Sequence, residues 1–219
     1  VIAGRRMQLA QVAEALKKFS QRRSQFLLIE GAAGMGKSEF LQSVQRSLTQ
    51  TRIRQVKVSC SQQELFRPYS LTTSILTALL KQRQDQGVSV FQSLSATDIS
   101  HLSHLLPQLG GTERPATDDE KAQRQGIFAA LMNFMPKLVD SRPLILLVDD
   151  LHLGDEASLL LFRRLLLRRE LPLFICATAT ETQPGGADGQ ASPLKRFYAV
   201  HCQELDIRKV ALQPLTASD

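Results

Sequence analysis

The chain has 219 residues, 43% of them hydrophobic and 22% charged, which suits one well-buried globular domain and leaves little room for a second. Lys and Arg number 27 against 21 Asp and Glu, a formal charge of +6. The basic residues are scattered as pairs such as Arg5-Arg6, Arg163-Arg164 and Lys195-Arg196, which reads as solvated helix faces and not as a basic stripe interleaved with aromatics, and no apolar run approaches the eighteen or so residues of a membrane span.

Met7–Phe19 carries apolar residues at helical spacing (Leu9, Val12, Ala13, Leu16, Phe19) and predicts an amphipathic helix. Phe26–Glu30 reads as a first strand, a helix follows to about Thr49, and Ile53–Ser59 reads as a second strand. Leu71–Lys81 predicts a helix, and Thr97 begins another that Pro107 stops. Thr117-Asp-Asp-Glu120 reads as a capping box opening a helix through Met135, which Pro136 ends or bends. Pro143–Asp150 is an unbroken apolar run closed by two aspartates. Glu156–Arg169 reads as a helix with Asp155 as its cap, Leu171–Thr180 as a strand, Gln183–Pro193 as a Gly-rich loop, and Gln203–Leu212 as the site of a last strand. Apolar strands alternating with helices predict an α/β fold: a three-layer arrangement with a central, mainly parallel five-stranded sheet flanked by helices.

Between the first strand and its helix lies Gly31-Ala-Ala-Gly34-Met-Gly36-Lys37-Ser38, the G-x-x-x-x-G-K-[ST] pattern of a phosphate-binding loop. Gly31, Gly34 and Gly36 admit backbone angles that bring N–H groups close to phosphate oxygens, and the helix start adds its own unpaired N–H groups. Met35 and Glu39 belong to the same stretch of nucleotide-binding backbone. Lys37 is assigned to the β- and γ-phosphates, and the Ser38 hydroxyl to Mg²⁺. The second element such a loop needs is an acidic strand end, supplied by Leu144-Ile-Leu-Leu-Val-Asp149-Asp150. Asp149 is assigned to the metal and Asp150 to the water that would attack the γ-phosphate.

The segment LILLVDDLHLGDEASLLLFRRL (Leu144–Leu165) resembles the h-h-h-h-D-D-L-H-W-A-D-E-A-S stretch of STAND-type, AAA-like signal-transduction ATPases, found in large LuxR-type regulators, multidomain Ser/Thr kinases and beside adenylyl cyclase domains. The resemblance runs almost the whole chain. Val1-Ile2-Ala3-Gly4-Arg5 is similar to the G-R-E box, Arg67-Pro68-Tyr69 to a Pro-Tyr after strand two, and Gln203–Thr216 to a closing L-x-P-L-S boundary. It implies that the box lies against the base and ribose, with Val1, Ile2 and Gly4 as candidates for adenine contact and Arg5 nearby, and that the acidic strand sits one strand away from the phosphate-loop strand. It also implies a polar sensor at Thr178 with a catalytic role. The Arg of the usual G-T-Y-R sensor is here Thr180, which puts efficient hydrolysis in doubt.

Other clusters carry less. His101 and His104 lie at i, i+3 without a spaced third ligand and read as a surface pair, and His152 follows the aspartates as either a supporting or an ordinary loop histidine. His201-Cys202 would point to opposite faces of a strand. Arg168 or Arg169 offers at most a finger acting in trans, and no N-K-x-D element suggests guanine recognition. Cys60, Cys176 and Cys202, an odd number without C-x-x-C spacing, read as reduced thiols. The expectation is a cytoplasmic ATP·Mg²⁺-binding switch, one domain of a longer regulatory polypeptide, exchanging ATP and ADP and answering to adjoining domains or to self-association. Hydrolysis would be slow. A nucleotide-stabilised scaffold without turnover and a DNA-associated AAA-type ATPase are the alternatives.

Overall fold

The structure is a computed structural model, and it describes residues 5–49, 51, 53–84, 91–109, 119–168, 170–180 and 192–214. Val1, Ile2, Gly4, Thr117, Arg169 and most of the Gly-rich segment before Pro193 lie outside the described residues. The chain divides into two compact units, one from residues 1–71 with 143–219 and one from 72–142.

The first unit holds a five-stranded sheet: β1 (Gln25–Gly31), β2 (Arg54–Ser59), β3 (Leu144–Asp149), β4 (Leu173–Thr180) and β5 (Ile207–Ala211), in the order β2-β3-β4-β1-β5. Every pairing is parallel, so the expected helix-flanked α/β sheet is present without an antiparallel edge. β4 separates β3 from β1, the placement that the resemblance implied for the acidic strand. Parallel strands need crossover connections, and α1 (Arg6–Ser20), α2 (Lys37–Leu48), α6 (Glu156–Leu166) and α7 (Pro193–His201) belong to this unit.

Successive strand residues face opposite sides, and this alternation sorts the core. Leu27 and Ile29 of β1, Ile145 and Leu147 of β3, Phe174 and Cys176 of β4 and Val210 of β5 meet Val12, Ala15 and Phe19 of α1 and Phe40, Leu41 and Val44 of α2. Each such side chain, fully buried, contributes roughly 1.5–3 kcal/mol. Total burial pushes the Cys176 thiol up to about 12, so it behaves as an apolar core residue.

The second unit is helical: most of α3 (Ser70–Gln84), with α4 (Ala96–Leu102) and α5 (Glu120–Leu138) packed together. α4 ends at Leu102, five residues before Pro107, which opens a separate 3₁₀ turn. α5 departs from the capping-box expectation, because it begins at Glu120 and Asp119 is its cap, its carboxylate accepting the Lys121 N–H at 2.9 Å. Pro136 lies inside α5, whose buried Phe134, Met135 and Leu138 carry the helix two residues past it. Gly126 leaves room for the His101 side chain. A Cβ there would lie 2.2 Å from the His101 ring, which packs against α5 and so is not a free surface ligand.

Two further expectations change in the first unit. α6 stops at Leu166, three residues short. α7 was not foreseen: Ser192 caps it and Pro193 occupies its first turn. His201 is therefore the last residue of a helix, 3.3 Å from Glu204, and Cys202 is its C-cap instead of a strand neighbour. No helix among the described residues is long and apolar enough to cross a membrane.

Asp155 caps α6 as expected and also fastens the segment after β2. Its buried carboxylate accepts the Ser158 N–H (2.9 Å) and Ser158 hydroxyl (2.7 Å) on its own helix. It also accepts the N–H groups of Tyr69 (2.8 Å) and Leu71 (3.1 Å) and the Ser70 hydroxyl (3.2 Å). Tyr69 has φ 63°, a left-handed conformation that a tyrosine adopts only when its surroundings enforce it. Asp155→Ala is expected to cost about 3 kcal/mol, because it removes a cap and orphans buried N–H groups. Asp155→Asn should cost distinctly less; urea unfolding of both variants measures the difference.

Candidate phosphate-binding and acidic site

β1 ends in Gly31, the chain turns, and α2 begins at Lys37. The turn depends on two left-handed glycines, Gly34 at φ 81° and Gly36 at φ 75°. Any side chain would be strained at either position although space around both is open. Gly36 is the N-cap of α2 and supplies no capping side chain, so the first N–H groups of the helix, on Lys37, Ser38 and Glu39, are left to an outside acceptor. The Ser38 side chain is exposed. The Glu39 carboxylate turns toward Arg46 at 3.8 Å, so its backbone is the part available to a phosphate. Lys37 is 7% exposed, and its ammonium donates to the Gly31 carbonyl at 3.0 Å and to the Ala32 carbonyl at 2.8 Å. A buried cation is thereby held within the loop.

The same alternation that sorts the core brings the acidic residues to this face. Asp149 follows Ile145 and Leu147 on β3, and Thr178 follows Phe174 and Cys176 on β4, so both project on the α2 side. Thr178 is fully buried. Its hydroxyl donates to Asp149 Oδ1 at 2.5 Å and accepts the Asp150 N–H at 2.8 Å. One hydroxyl thus sets the rotamer of the first aspartate and the backbone of the second. Asp150 stands at φ 54°, a left-handed conformation costing roughly 1–3 kcal/mol unless the surroundings hold it. The Thr178 bond does hold it, and the turn turns sharply out of β3 into the 3₁₀ segment Leu151–Leu153.

His152 lies in that 3₁₀ turn, half-buried. The Thr180 N–H donates to its Nδ1 at 3.3 Å. Burial lowers its pKa from the usual 6.5, Asp150 opposes the shift, Lys37 adds to it and Asp149 opposes it. A nitrogen that accepts an N–H carries no proton, so the 3.8 Å approach of Nδ1 to Asp150 is not an ion pair at neutral pH. His152 lies 3.8 Å from Asp150, whose N–H is bound by the Thr178 hydroxyl that also binds Asp149, so these four residues share one end of the sheet.

Of the residues singled out in the sequence, Gly31, Gly34, Met35, Gly36, Lys37, Ser38 and Glu39 form the loop and helix start, and Asp149, Asp150 and Thr178 form the acidic end. Ile2 and Gly4 lie outside the described residues. Arg5 is 6% exposed, and its guanidinium donates to two backbone carbonyls, Met35 at 3.1 Å and Gln213 at 2.7 Å. The sequence offers no signal for the role of His152, because its bond to Thr180 joins residues 28 apart that no spacing rule connects. The donors suited to Mg²⁺, the Ser38 hydroxyl and the Asp149 carboxylate, are hard oxygens as that ion prefers. A cavity of about 240 Å³ is lined by Leu28, Glu30, Tyr198 and Lys209, and also by His152 and Thr180 beside the acidic turn. There Lys209 is already engaged, 2.8 Å from Glu30 and 4.1 Å above the Tyr198 ring. Lys37, Asp149 and Thr178 are not among its lining residues.

Among solved structures, the chain is similar to Drosophila ORC bound to AT-rich DNA and Cdc6, at 12% identity and a TM-score of 0.45. The match covers 98% of this chain and 58% of that one. No curated protein matches. Residues 1–176 match the family described as the AAA ATPase domain, and the chain belongs to that family.

Proposed function

We propose that this domain is the ATP·Mg²⁺-binding switch of a larger regulatory polypeptide of the STAND type, with slow hydrolysis. The observation that carries the reading is the Thr178 hydroxyl bound to both aspartates on the face where the Gly34–Gly36 loop opens α2. The loop N–H groups and Lys37 would take the phosphates, with Lys37 exchanging its carbonyl partners for phosphate oxygens. Ser38 and Asp149 would hold Mg²⁺, which supplies charge neutralisation across the β- and γ-phosphates. Asp150 would orient the attacking water from its fixed turn. Thr178 acts through the aspartates, since its one hydrogen and a lone pair are spent on them. Thr180 brings no charge to the γ-phosphate, which supports a slow rate. ATP and ADP, adjoining domains and self-association are the partners of this reading, which places the protein in the cytoplasm.

A scaffold that binds ATP without turnover is favoured by the same Thr180. A DNA-associated role has less support. Arg46, Arg124, Arg163, Arg196 and Arg208 each lie within 4 Å of a carboxylate, which disperses the positive charge over mixed surfaces.

Lys37→Ala is expected to weaken ATP binding about 10- to 100-fold in calorimetry, and unchanged binding would overturn the nucleotide reading altogether. Asp150→Asn should leave binding within a few fold and lower steady-state phosphate release by about 100-fold or more. Tight binding by the unaltered protein with no release at all would establish the scaffold reading. Thr178→Val orphans the Asp150 N–H and frees the Asp149 carboxylate, so phosphate release should fall about tenfold while ATP affinity changes less.

A further inference from the structure

We infer that Arg5 is a positioning residue that couples the phosphate loop to the segment leaving β5, and that it does not bind the nucleotide base. This rests on the nucleotide-binding reading above. Arg5 immediately precedes α1, and its side chain is buried. A guanidinium cannot shed its charge, so its burial demands acceptors, and its planar fork can hold two of them at a fixed separation. The two it holds come from distant parts of the chain: Met35 O in the loop and Gln213 O two residues beyond the end of β5.

The Met35 carbonyl is a consequential handle. Met35 lies between the two left-handed glycines, and its C=O shares a peptide plane with the Gly36 N–H. In a trans peptide those two groups point in opposite directions, so fixing the carbonyl fixes the direction of the amide. Gly36 and Gly34 have the softest backbones in the loop, and without an external tether this peptide is free to flip.

The segment at 212–213 touches the loop a second time. Leu212 N–H donates to the Glu30 carbonyl at 2.7 Å, and a Cβ on Gly31 would lie 2.8 Å from the Leu212 oxygen. The first residue of the loop is therefore pressed against residue 212, while Arg5 ties the apex of the loop to residue 213. Phosphate that favours the loop conformation seen here also favours these two contacts, and loss of the 212–213 contacts disfavours that loop conformation. By linkage the two effects are equal in free energy.

The test uses the full chain and two probes, ATP with Mg²⁺ and inorganic tripolyphosphate with Mg²⁺. Arg5→Ala should weaken both by the same factor, about tenfold. A loss confined to ATP would mean that Arg5 contacts base or ribose, and would overturn the proposal. Hydrogen exchange supplies the second readout. In the unaltered protein ATP should slow exchange in residues 37–48 and also in residues 207–213. In Arg5→Ala at saturating ATP, protection of 37–48 should persist and the added protection of 207–213 should vanish. Equal protection of 207–213 in both proteins, or in neither, would refute the coupling even with nucleotide binding intact. Arg5→Lys keeps the buried charge but lacks the rigid planar fork that holds two acceptors at a fixed separation. It should show the same loss of coupling, and it decides the matter if Arg5→Ala does not fold. Binding of neither probe by the unaltered protein would be a different failure, that of the nucleotide reading and of this proposal with it.

Discussion

Every group that gives this site its chemistry reaches it because parallel strands alternate their side chains. Gly31, Asp149 and Thr178 each continue the row of residues that packs on α1 and α2, so the loop, the carboxylate and the hydroxyl emerge on one face at the carboxyl ends of adjacent strands. A shift of one residue in any register would turn that residue to the face of α7 and the Glu30–Lys209 pair. Both faces of these strands are buried, so a slip of Leu27-Ile29, Ile145-Leu147 or Phe174-Cys176 would force two close-packed layers to repack at once. Core packing and site geometry are therefore one constraint.

Around that constraint the molecule spends its strain in a few places. Gly34 and Gly36 take left-handed angles at little cost, while Asp150 and Tyr69 take them against preference and are held by hydrogen bonds that their N–H groups donate to Thr178 and Asp155. Both strained residues border the acidic end of β3. Asp155 fixes the post-β2 segment to the start of α6, and the Cys60 N–H donates to the Asp149 carbonyl at 2.9 Å. The acidic turn is braced from both sides. Such bracing costs stability locally and gives the aspartates fixed directions, which an electrostatic site needs.

Much of this could be read in advance, and the reasons are specific. Three of the five strands, β1, β3 and β4, are apolar runs ended by glycine, aspartate and threonine, and the phosphate loop is a local motif whose backbone angles follow from its glycines. Asp155 as the cap of α6 is equally local. The misreadings came where local signals compete. Asp119 caps α5 in place of Thr117, because Asp is as good a cap and lies nearer the first apolar turn. Pro136 is absorbed near the end of α5, where burial of Phe134 and Leu138 outweighs one lost hydrogen bond. α7 is only nine residues long and follows a Gly-rich stretch, so its Leu194, Phe197 and His201 spacing was too short to stand out.

The sequence by itself determined that a phosphate loop opens α2, that an acidic strand end accompanies it, and that the sheet is parallel, because glycine angles, apolar runs and helix starts are properties of a few consecutive residues. Only the tertiary structure decided what holds these parts in place. Thr178 with Asp149 spans 29 positions, Arg5 with Gln213 spans 208, and Gly31 must be glycine because Leu212 lies against it. Those pairs share no spacing that a pattern could reveal. They meet because strand order places β4 beside β3 and β5 beside β1, and strand order is settled by the packing of the whole sheet.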